Sequence, residues 1–336
     1  MRNEAGHIRA CLDSILAQDY PRQCMEVIVV DGDSDDNSAE VLREYGDRIR
    51  VLHNRARIVP SSMNVGIRAA RGEIIARVDA HTLLAPDYLS VGVETLKRTG
   101  ADNVGGPMHC VGGGPVGDAI ALAMASRFGI GAYFHFATGD REVDTVYMGM
   151  WPRRAFERIG LFDEELVRNQ DDELNYRLRK AGGRIFVTTR MCSRYQNRQS
   201  WTALRRQFYQ YGLWKIRVLQ KHPRQMSLRQ FVPPAFVAAL VATAVGSFFS
   251  STLAALFVLA AGAYTAAVSL AAATVARRHG WDRLPRLARA FATMHLSWGA
   301  GFLVGALRFA RHWLRPEPQP PGLSPQAVND VVVARE

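Results

Sequence analysis

Apolar positions in the first part of the chain follow two periods, one typical of helices and one typical of buried strands. Ile8, Leu12 and Ile15 recur on one face of a helix. Residues 25–30 then form an apolar run that is typical of a strand buried on both faces. The remaining predicted elements are helices at 38–45, 61–70, 86–98, 153–159 and 172–181 and strands at 49–52, 74–78, 103–106, 145–150 and 184–188. Strands that alternate with helices predict an α/β fold, with a mostly parallel sheet and helices on both faces.

The chain enters this pattern at a helix and not at a strand. Met1-Arg2-Asn3-Glu4 leads directly into the first helical segment, whereas a doubly wound sheet normally has a central strand before its first helix. We therefore expect the first strand to be missing through truncation of the chain. The alternative is that another segment fills its place.

Between the strands predicted at 103–106 and 145–150 the periodicity is lost. Gly112-Gly113-Gly114 opens a segment that has neither the helical nor the strand period. Long irregular stretches inside compact domains are often substrate loops. We predict that this segment is such a loop, within a catalytic domain that spans residues 1–200.

The C-terminal part is predicted to lie in a membrane. From Phe231 to Ala276 there is no charged residue, and such a stretch holds two helices of about 20 residues, the length that crosses a bilayer. We place these spans at 231–249 and 252–275. A third apolar stretch, 290–307, is either a span or an interfacial helix. A buried soluble hairpin is the alternative for the first two.

The distribution of charge indicates a membrane surface as a partner. The formal net charge is +11 at pH 7, and basic residues flank the predicted spans, so we expect contacts with anionic membrane lipids. The positive-inside tendency makes both flanks cytoplasmic, which predicts a multi-pass protein of the bacterial inner membrane with a cytoplasmic catalytic domain. Nucleic acid is not an expected partner, because no basic helix with base-reading spacing is present.

The parts around the catalytic domain complete the predicted organisation. Residues 201–230 are predicted to form amphipathic interface helices, 231–310 a membrane region with two to three helices, and 316–336 a Pro-rich disordered tail. The 4 cysteines form no Cys-x-x-Cys pair, so neither a zinc site nor a disulfide framework is indicated.

Asp79 and His81 stand where the strand predicted at 74–78 ends. Open α/β sheets bind their ligands at the carboxyl ends of strands. A carboxylate and an imidazole two residues apart can face one cation, and oxygen and nitrogen ligands suit Mn²⁺ or Mg²⁺ that holds a diphosphate. The alternatives for His81 are that it contacts a metal ligand and not the metal itself, or that its role is purely structural.

Five segments of the chain occur in an order that resembles a known family. They are Arg2-Asn3-Glu4, residues 29–36 (VVDGDSDD), Asn64 and Gly66 with residues 69–72, residues 78–81 (VDAH), and residues 170–178 (QDDELNYRL). The chain resembles the inverting family 2 glycosyltransferases, which have the GT-A fold and bind nucleotide sugars. Within this family it is most similar to the membrane-anchored glucosyltransferases of succinoglycan-type exopolysaccharide pathways. The resemblance extends over residues 1–225.

This resemblance implies which residues bind the donor and the metal. Glu4, Asp31 and Asp79 are expected to contact the nucleotide. Asn54 is expected there too, but because it follows the strand predicted at 49–52 and not because of the resemblance. Asp79 and His81 take the place of the family's Asp-x-Asp metal motif, with histidine instead of the second aspartate. The alternative for Asp31 is a turn residue that caps a helix, and the alternative for Asn54 is an ordinary turn residue.

The resemblance also implies a base and an acceptor site. Asp171 corresponds to the catalytic aspartate of the family's Glu-Asp motif, in which Gln170 replaces the glutamate. Gly149, Trp151 and Asp172 are expected at the acceptor, with Trp151 stacked on a sugar face. The alternatives are a core position for Trp151, and for Asp171 and Asp172 a role at a helix N-terminus, where the helix dipole favours acids.

These expectations combine into one predicted function. The chain is expected to move a hexose, glucose from UDP-glucose, to a polyprenyl-diphosphate-linked oligosaccharide in exopolysaccharide synthesis. A single displacement by a base-activated hydroxyl would invert the anomeric carbon. Transfer directly to polyprenyl phosphate, and a non-catalytic scaffold of a polysaccharide export complex, remain alternatives.

Overall fold

Short strands alternate with helices through the first part of the chain, and long helices follow. The computed structural model describes residues 1–314 and 321–322, so the tail predicted at 316–336 lies outside the described residues except for Pro321 and Gly322. The strands and helices in chain order are α1 (Ile8–Leu16), β1 (Ile28–Asp31), α2 (Ser38–Arg43), β2 (Arg50–His53), α3 (Val59–Ala69), β3 (Ile74–Ala76), β4 (Thr82–Leu84), α4 (Tyr88–Thr99), β5 (Asn103–Gly105), β6 (Met108–Val111), α5 (Pro115–Met124), β7 (Arg141–Glu142), β8 (Met150–Pro152), α6 (Arg153–Ile159), α7 (Gln170–Lys180), β9 (Ile185–Val187), β10 (Ser193–Gln196), α8 (Trp201–Lys221), α9 (Val232–Gly246), α10 (Ser251–His279) and α11 (Leu284–Arg308).

The chain divides into two compact units. The first contains Met1–His109 and Ala132–Gln196, together with the mostly undescribed Pro318–Glu336. The second contains Cys110–Gly131 and Asn197–Glu317. The domain limits predicted at residues 200, 230 and 310 stay predictions.

The first unit confirms the predicted α/β fold class, and its sheets are mixed. β1 and β2 pair in parallel, with Val29 opposite Val51. In the five-stranded sheet, whose order is β3-β8-β5-β9-β7, only β5 and β9 are parallel. β4 and β10 pair antiparallel in a further sheet. The expected preponderance of parallel strands is absent because β8 lies between β3 and β5 and runs antiparallel to both.

Met1 lies beside β1, at the position that a preceding strand would take. Its amino group donates to the carbonyl oxygen of Val30 at 2.7 Å. Its own carbonyl oxygen accepts from the backbone N–H of Gly32, also at 2.7 Å. The backbone of Met1 therefore satisfies groups at the edge of β1 that a parallel strand would satisfy.

The segment predicted to be an irregular loop contains helix α5. Gly114 has a φ of 108°, which a glycine adopts without strain, and Pro115 occupies the first turn of the helix, where its missing N–H costs nothing. The helix escaped prediction because Asp118 is its one polar residue, and its other side chains are apolar on every side. Such a helix carries no polar face from which the period can be recognised. The buried residues are Gly117, Ala119, Ile120, Ala121, Ala123 and Met124.

The second unit contains the apolar helices. By length and composition, three helical stretches of the described residues are able to cross a membrane: Leu228–Gly246, Ser251–His279 and Trp281–Arg308. These stretches contain the spans predicted at 231–249 and 252–275 and the third apolar stretch at 290–307, except for a few residues at the end of the first. In the most apolar 18 residues of the third stretch 44% are buried, against 6% in those of the first, so α11 is the helix around which its neighbours pack.

Glycines allow α8 and α11 to approach closely. A Cβ on Gly212 of α8 would lie 2.0 Å from the carbonyl oxygen of Trp298. A Cβ on Gly301 of α11 would lie 2.1 Å from the carbonyl oxygen of Tyr209. Small residues at a helix interface allow the two backbones to approach closely.

Alanine at position 301 is expected to force α8 and α11 apart. Because its Cβ has no space beside Tyr209, Gly301→Ala should lower the free energy of unfolding by about 1–3 kcal/mol. The thermal unfolding midpoint of the full chain in detergent measures the effect. Gly262→Ala is the matched control, since a Cβ on this glycine of α10 meets no atom within 4 Å. An equal loss of stability in both variants would contradict the close packing.

Candidate active site

Asp79 and His81 lie in the connection that follows β3. The backbone N–H of Arg77 donates to the carbonyl oxygen of Gly149 at 3.1 Å, which continues the pairing of β3 with β8 by one residue. The N–H of Thr82 then donates to the carbonyl oxygen of Asp79 at 2.9 Å and closes a turn. The turn presents the side chains of Asp79 and His81 at the carboxyl end of β3, as the sequence predicts.

The guanidinium of Arg77 joins Asp79 to Asp171. Its Nε donates to Oδ1 of Asp79 at 2.9 Å, and its Nη2 lies at the same distance from that oxygen. Its Nη1 donates to Oδ1 of Asp171 in the first turn of α7. Arg77 is buried, whereas both carboxylates are partly exposed. The candidate metal ligand and the candidate base are therefore separated by the width of one guanidinium.

Burial and charge shift the pKa values of this cluster. Burial disfavours the charged form of Arg77, but the carboxylates of Asp171 and Asp79 outweigh it and raise the pKa of Arg77. Loss of solvent around Asp171 and the charge of Asp79 raise the pKa of Asp171, against the lowering effect of Arg77. Asp171 is thus a stronger base than an ordinary aspartate, which favours proton transfer to it.

Glu4 contacts His81, a pairing that the sequence did not predict. Nδ1 of His81 lies 3.1 Å from Oε1 of Glu4. With the proton on Nδ1 the ring donates to Glu4, and Nε2 carries the lone pair that a cation needs. The ring of Tyr195 packs edge-on against the imidazole, with 5.0 Å between centroids. Glu4 and Tyr195 together fix the orientation of His81.

Asp79 and His81 fit a divalent cation that shares its ligands with a diphosphate. No group of three His, Cys, Asp or Glu side chains among residues 1–314 and 321–322 is arranged to hold a metal by itself. Ions such as Mg²⁺ are usually held by one or two protein ligands together with substrate phosphates. A carboxylate and an imidazole are sufficient for that arrangement with a divalent cation.

A pocket lies beside the carboxyl ends of β1 and β2. Its volume is about 230 Å³, and its lining residues are Asp33, His53, Asn54 and Arg55. Nδ1 of His53 lies 3.9 Å from Oδ2 of Asp31, the last residue of β1. The pocket therefore adjoins Asp31, which is expected at the nucleotide.

The two polar residues predicted here for nucleotide contact also stabilise local turns. Asp31 accepts a hydrogen bond of 2.6 Å from the hydroxyl of Ser34. Nδ2 of Asn54 donates to the hydroxyl of Ser62 at 2.9 Å, and its Oδ1 accepts from the N–H of Ala56. Asn54 therefore shapes the start of α3 with its whole amide group, and any nucleotide contact would come in addition.

Of the predicted acceptor residues, Trp151 lies in the core and not in a cleft. Its side chain is buried against Phe156, with 5.5 Å between ring centroids. Gly149 has a φ of 105°, and a Cβ there would lie 2.4 Å from the indole ring. This burial is incompatible with stacking of Trp151 on a sugar. Trp151 is a core residue, and its expected role at the acceptor is wrong. Asp172 follows Asp171 in the first turn of α7.

Other aromatic side chains, which the sequence did not single out, lie next to His81. Tyr147 and Tyr195 pack edge to face, with 5.7 Å between centroids. The hydroxyl of Tyr147 lies 2.6 Å from Oγ1 of Thr82, the residue after His81. Tyr147 is partly exposed, so it is the aromatic ring of this pair that a ligand can reach.

Arg77 is the main residue that sequence reasoning missed. It stands inside the apolar run predicted at 74–78, where a charged residue is unusual. In an extended chain, residues two apart point to the same face. Arg77 and Asp79 are two apart, so this spacing was a signal that the arginine and the carboxylate are paired.

Comparison with known proteins identifies relatives of this chain. The model of the family described as glycosyl transferase family 2 matches residues 1–161. The succinoglycan biosynthesis protein ExoA of Rhizobium meliloti is 31% identical over 92% of this chain and 94% of its own length. A dolichyl N-acetyl-α-D-glucosaminyl phosphate 3-β-D-2,3-diacetamido-2,3-dideoxy-β-D-glucuronosyltransferase of Methanococcus voltae is 26% identical over 65% of this chain and 72% of its own length.

Solved structures share the fold. A mannosyltransferase from Pyrobaculum calidifontis, in complex with GDP-Man and Mn²⁺, matches with a TM-score of 0.54 and 23% identity, over 88% of this chain and 85% of that one. Residues 1–349 of TarS from S. aureus, in complex with UDP-GlcNAc, match with a TM-score of 0.50 and 17% identity, over 92% and 90%. The GT-A fold expected from the sequence is thereby confirmed.

Replacement of Trp151 tests its position in the core. Trp151→Ala should lower the free energy of unfolding by about 3–5 kcal/mol, because it leaves a cavity beside Phe156 and Phe162. Urea unfolding followed by circular dichroism measures this loss. The milder Trp151→Phe should leave the KM for the acceptor unchanged. A raised acceptor KM with unaltered stability would contradict the burial of the indole.

Proposed function

Because this chain belongs to glycosyl transferase family 2, we propose that it moves a hexose, glucose from UDP-glucose, to a lipid-linked oligosaccharide. The observation that carries this proposal is the convergence of Asp79 and Asp171 on one guanidinium. A group that can hold the donor and a group that can deprotonate the acceptor are thus within reach of the same sugar.

Asp171 is the proposed general base. Its carboxylate is partly exposed in the first turn of α7, and its pKa is raised. It accepts the proton of the acceptor hydroxyl while the hydroxyl oxygen attacks the anomeric carbon and the bond from that carbon to the diphosphate breaks. One displacement inverts the configuration, so a β-linkage results from an α-linked donor.

Asp79 and His81 are the proposed ligands of Mn²⁺ or Mg²⁺. When bound, such a cation supplies positive charge for the diphosphate that leaves. Glu4 holds the imidazole of His81 through the contact of 3.1 Å, and so acts on the site through the histidine. The expected contact of Glu4 with the nucleotide stays a prediction, since the contact that the structure shows is with His81.

The pocket beside Asp31 is the proposed site of the nucleoside. It is lined by His53 and Asn54 among others, and Asp31 provides a buried carboxylate at its edge. A carboxylate accepts hydrogen bonds from ribose hydroxyls or from a ring N–H. For the acceptor we retain Asp172 of the predicted set, because it adjoins the base, whereas Gly149 is buried beneath the indole of Trp151 and is not available to an acceptor.

The apolar helices indicate a lipid-linked acceptor. If the enzyme is anchored in the same bilayer as a lipid-linked acceptor, the effective concentration of the acceptor at the active site rises. The relative from Rhizobium meliloti is a succinoglycan biosynthesis protein, which favours a polyprenyl-diphosphate-linked oligosaccharide of exopolysaccharide synthesis. The basic flanks of the spans favour the inner membrane of a bacterium, with the active site in the cytoplasm and anionic lipids around the anchor.

A second acceptor class is favoured by one comparison. The relative from Methanococcus voltae is named for a dolichyl phosphate-linked sugar as its acceptor. A polyprenyl monophosphate carrier is therefore the alternative to the diphosphate carrier. A non-catalytic scaffold is disfavoured, because a scaffold has no need for Asp79, His81 and Asp171 to remain together.

Replacement of the proposed base should stop sugar transfer but leave binding of the donor intact. Asp171→Asn is expected to lower turnover by about 10²–10⁴-fold, because the amide cannot accept the proton. Mass spectrometry of lipid-linked oligosaccharides from membranes measures the product, and calorimetry with UDP measures donor binding, which should persist. Glu94→Gln is the control, since Glu94 forms an exposed ion pair with Arg190. Full activity of Asp171→Asn would remove Asp171 from the mechanism.

Chelation should reversibly stop the enzyme. EDTA is expected to abolish release of the nucleoside diphosphate from UDP-glucose, and added Mn²⁺ should restore it, because the diphosphate loses its counter-charge. Asp79→Asn should need a higher Mn²⁺ concentration for half-maximal rate. Release that is indifferent to EDTA, in a wild type that makes product, would contradict the metal role of Asp79 and His81.

A further inference from the structure

Arg77 contacts the carboxylate of Asp79, the residue proposed above as a ligand of the cation. Nε and Nη2 both lie 2.9 Å from Oδ1 of Asp79. This fork-like contact uses one side of the guanidinium, and Nη1 on the other side donates to Asp171. A planar guanidinium can bridge two acceptors in this way, which a single ammonium group does not do with the same geometry.

We propose that Arg77 is a positioning residue that competes with the divalent cation for Asp79 and holds Asp171 toward the acceptor. This inference rests on the proposed function, because it assigns Arg77 a role in the same site. In the ligand-free state Arg77 supplies the positive charge that Asp79 and Asp171 need. When a cation takes Asp79, Arg77 remains in contact with Asp171.

The competition follows from charge. Two cations that contact one carboxylate repel each other, and the repulsion is strong where little water screens it. Arg77 is only 8% exposed, so its charge is not dispersed into solvent. Binding of a cation at Asp79 therefore includes the cost of weakening the contact between Arg77 and Asp79.

The positioning role follows from burial and geometry. A buried guanidinium must keep a charged partner. Asp171 is the second partner that the structure provides, so loss of Asp79 to a cation leaves Arg77 with Asp171. Arg77 contacts Oδ1 of Asp171, which leaves Oδ2 as the oxygen that takes up the proton. The arginine thus fixes which way the base points.

Two substitutions separate the charge of Arg77 from the planar shape of its guanidinium. Arg77→Gln removes the charge and shortens the side chain, whereas Arg77→Lys keeps the charge but lacks the planar guanidinium. Arg190→Gln is the matched control, because Arg190 forms an exposed ion pair with Glu94 at 2.8 Å and contacts neither Asp79 nor Asp171. All variants are made in the full chain and purified in detergent.

The first measurement is the binding of Mn²⁺, read as the loss of the free-ion signal in electron paramagnetic resonance, with Mn²⁺ alone and with Mn²⁺ plus UDP. Arg77→Gln should bind Mn²⁺ about tenfold more tightly than the wild type, as expected when one charge beside a carboxylate is removed. Arg77→Lys and Arg190→Gln should bind it as the wild type does.

The second measurement is product formation. Arg77→Gln and Arg77→Lys should both lose about 100-fold in kcat. Without the guanidinium the carboxylate of Asp171 is no longer held in position, and a small displacement of the base is enough to slow proton transfer. Tighter Mn²⁺ binding together with a lower kcat is a combination that simple damage to the fold does not produce, since damage weakens both.

Three outcomes overturn the inference. They are weaker or unchanged Mn²⁺ binding in Arg77→Gln, unchanged kcat in both variants, and Mn²⁺ retained by neither the wild type nor Arg77→Gln. Failure of the proposed function would give different results: the wild type would release no nucleoside diphosphate, or Asp171→Asn would keep full activity. Mn²⁺ binding by Arg77→Gln is readable in either case.

Discussion

A buried positive charge must find negative partners, and Arg77 finds two, of which Asp171 lies 94 positions further along the chain. Because the guanidinium contacts Asp79 after β3 and Asp171 at the start of α7, it fixes these two elements relative to each other. The contacts with these carboxylates offset the cost of removing the charge of Arg77 from water. The spacing between the candidate metal ligand Asp79 and the candidate base Asp171 is therefore set by one side chain.

Much of the site followed from the sequence, because position along a strand is a local property. The apolar run before Asp79 predicted where His81 would stand, and the order of the motifs placed Asp171 with them. The sequence did not show that Glu4 contacts His81 or that Arg77 bridges the carboxylates. These pairings join residues far apart in the chain, and local periodicity contains no information about such partners.

The remaining differences also arise from tertiary packing. An aromatic residue between two motifs suits a sugar as well as a core, and only the surroundings of Trp151 decide for the core. Strand direction depends on which segments pair, so the antiparallel β8 could not be recognised from its own residues. Helix α5 and the close approach at Gly301 depend on small residues, whose role is visible only once their neighbours are placed.

The central claim is that Asp79 exchanges Arg77 for a cation while Arg77 keeps Asp171. The most direct measurement is a structure of the full chain with Mn²⁺ and UDP bound, in which the anomalous signal of manganese locates the ion. The account predicts manganese on Asp79, with Arg77 still donating to Asp171. Manganese away from Asp79, or Arg77 still bound to both carboxylates while the ion and the nucleotide are in place, would contradict it.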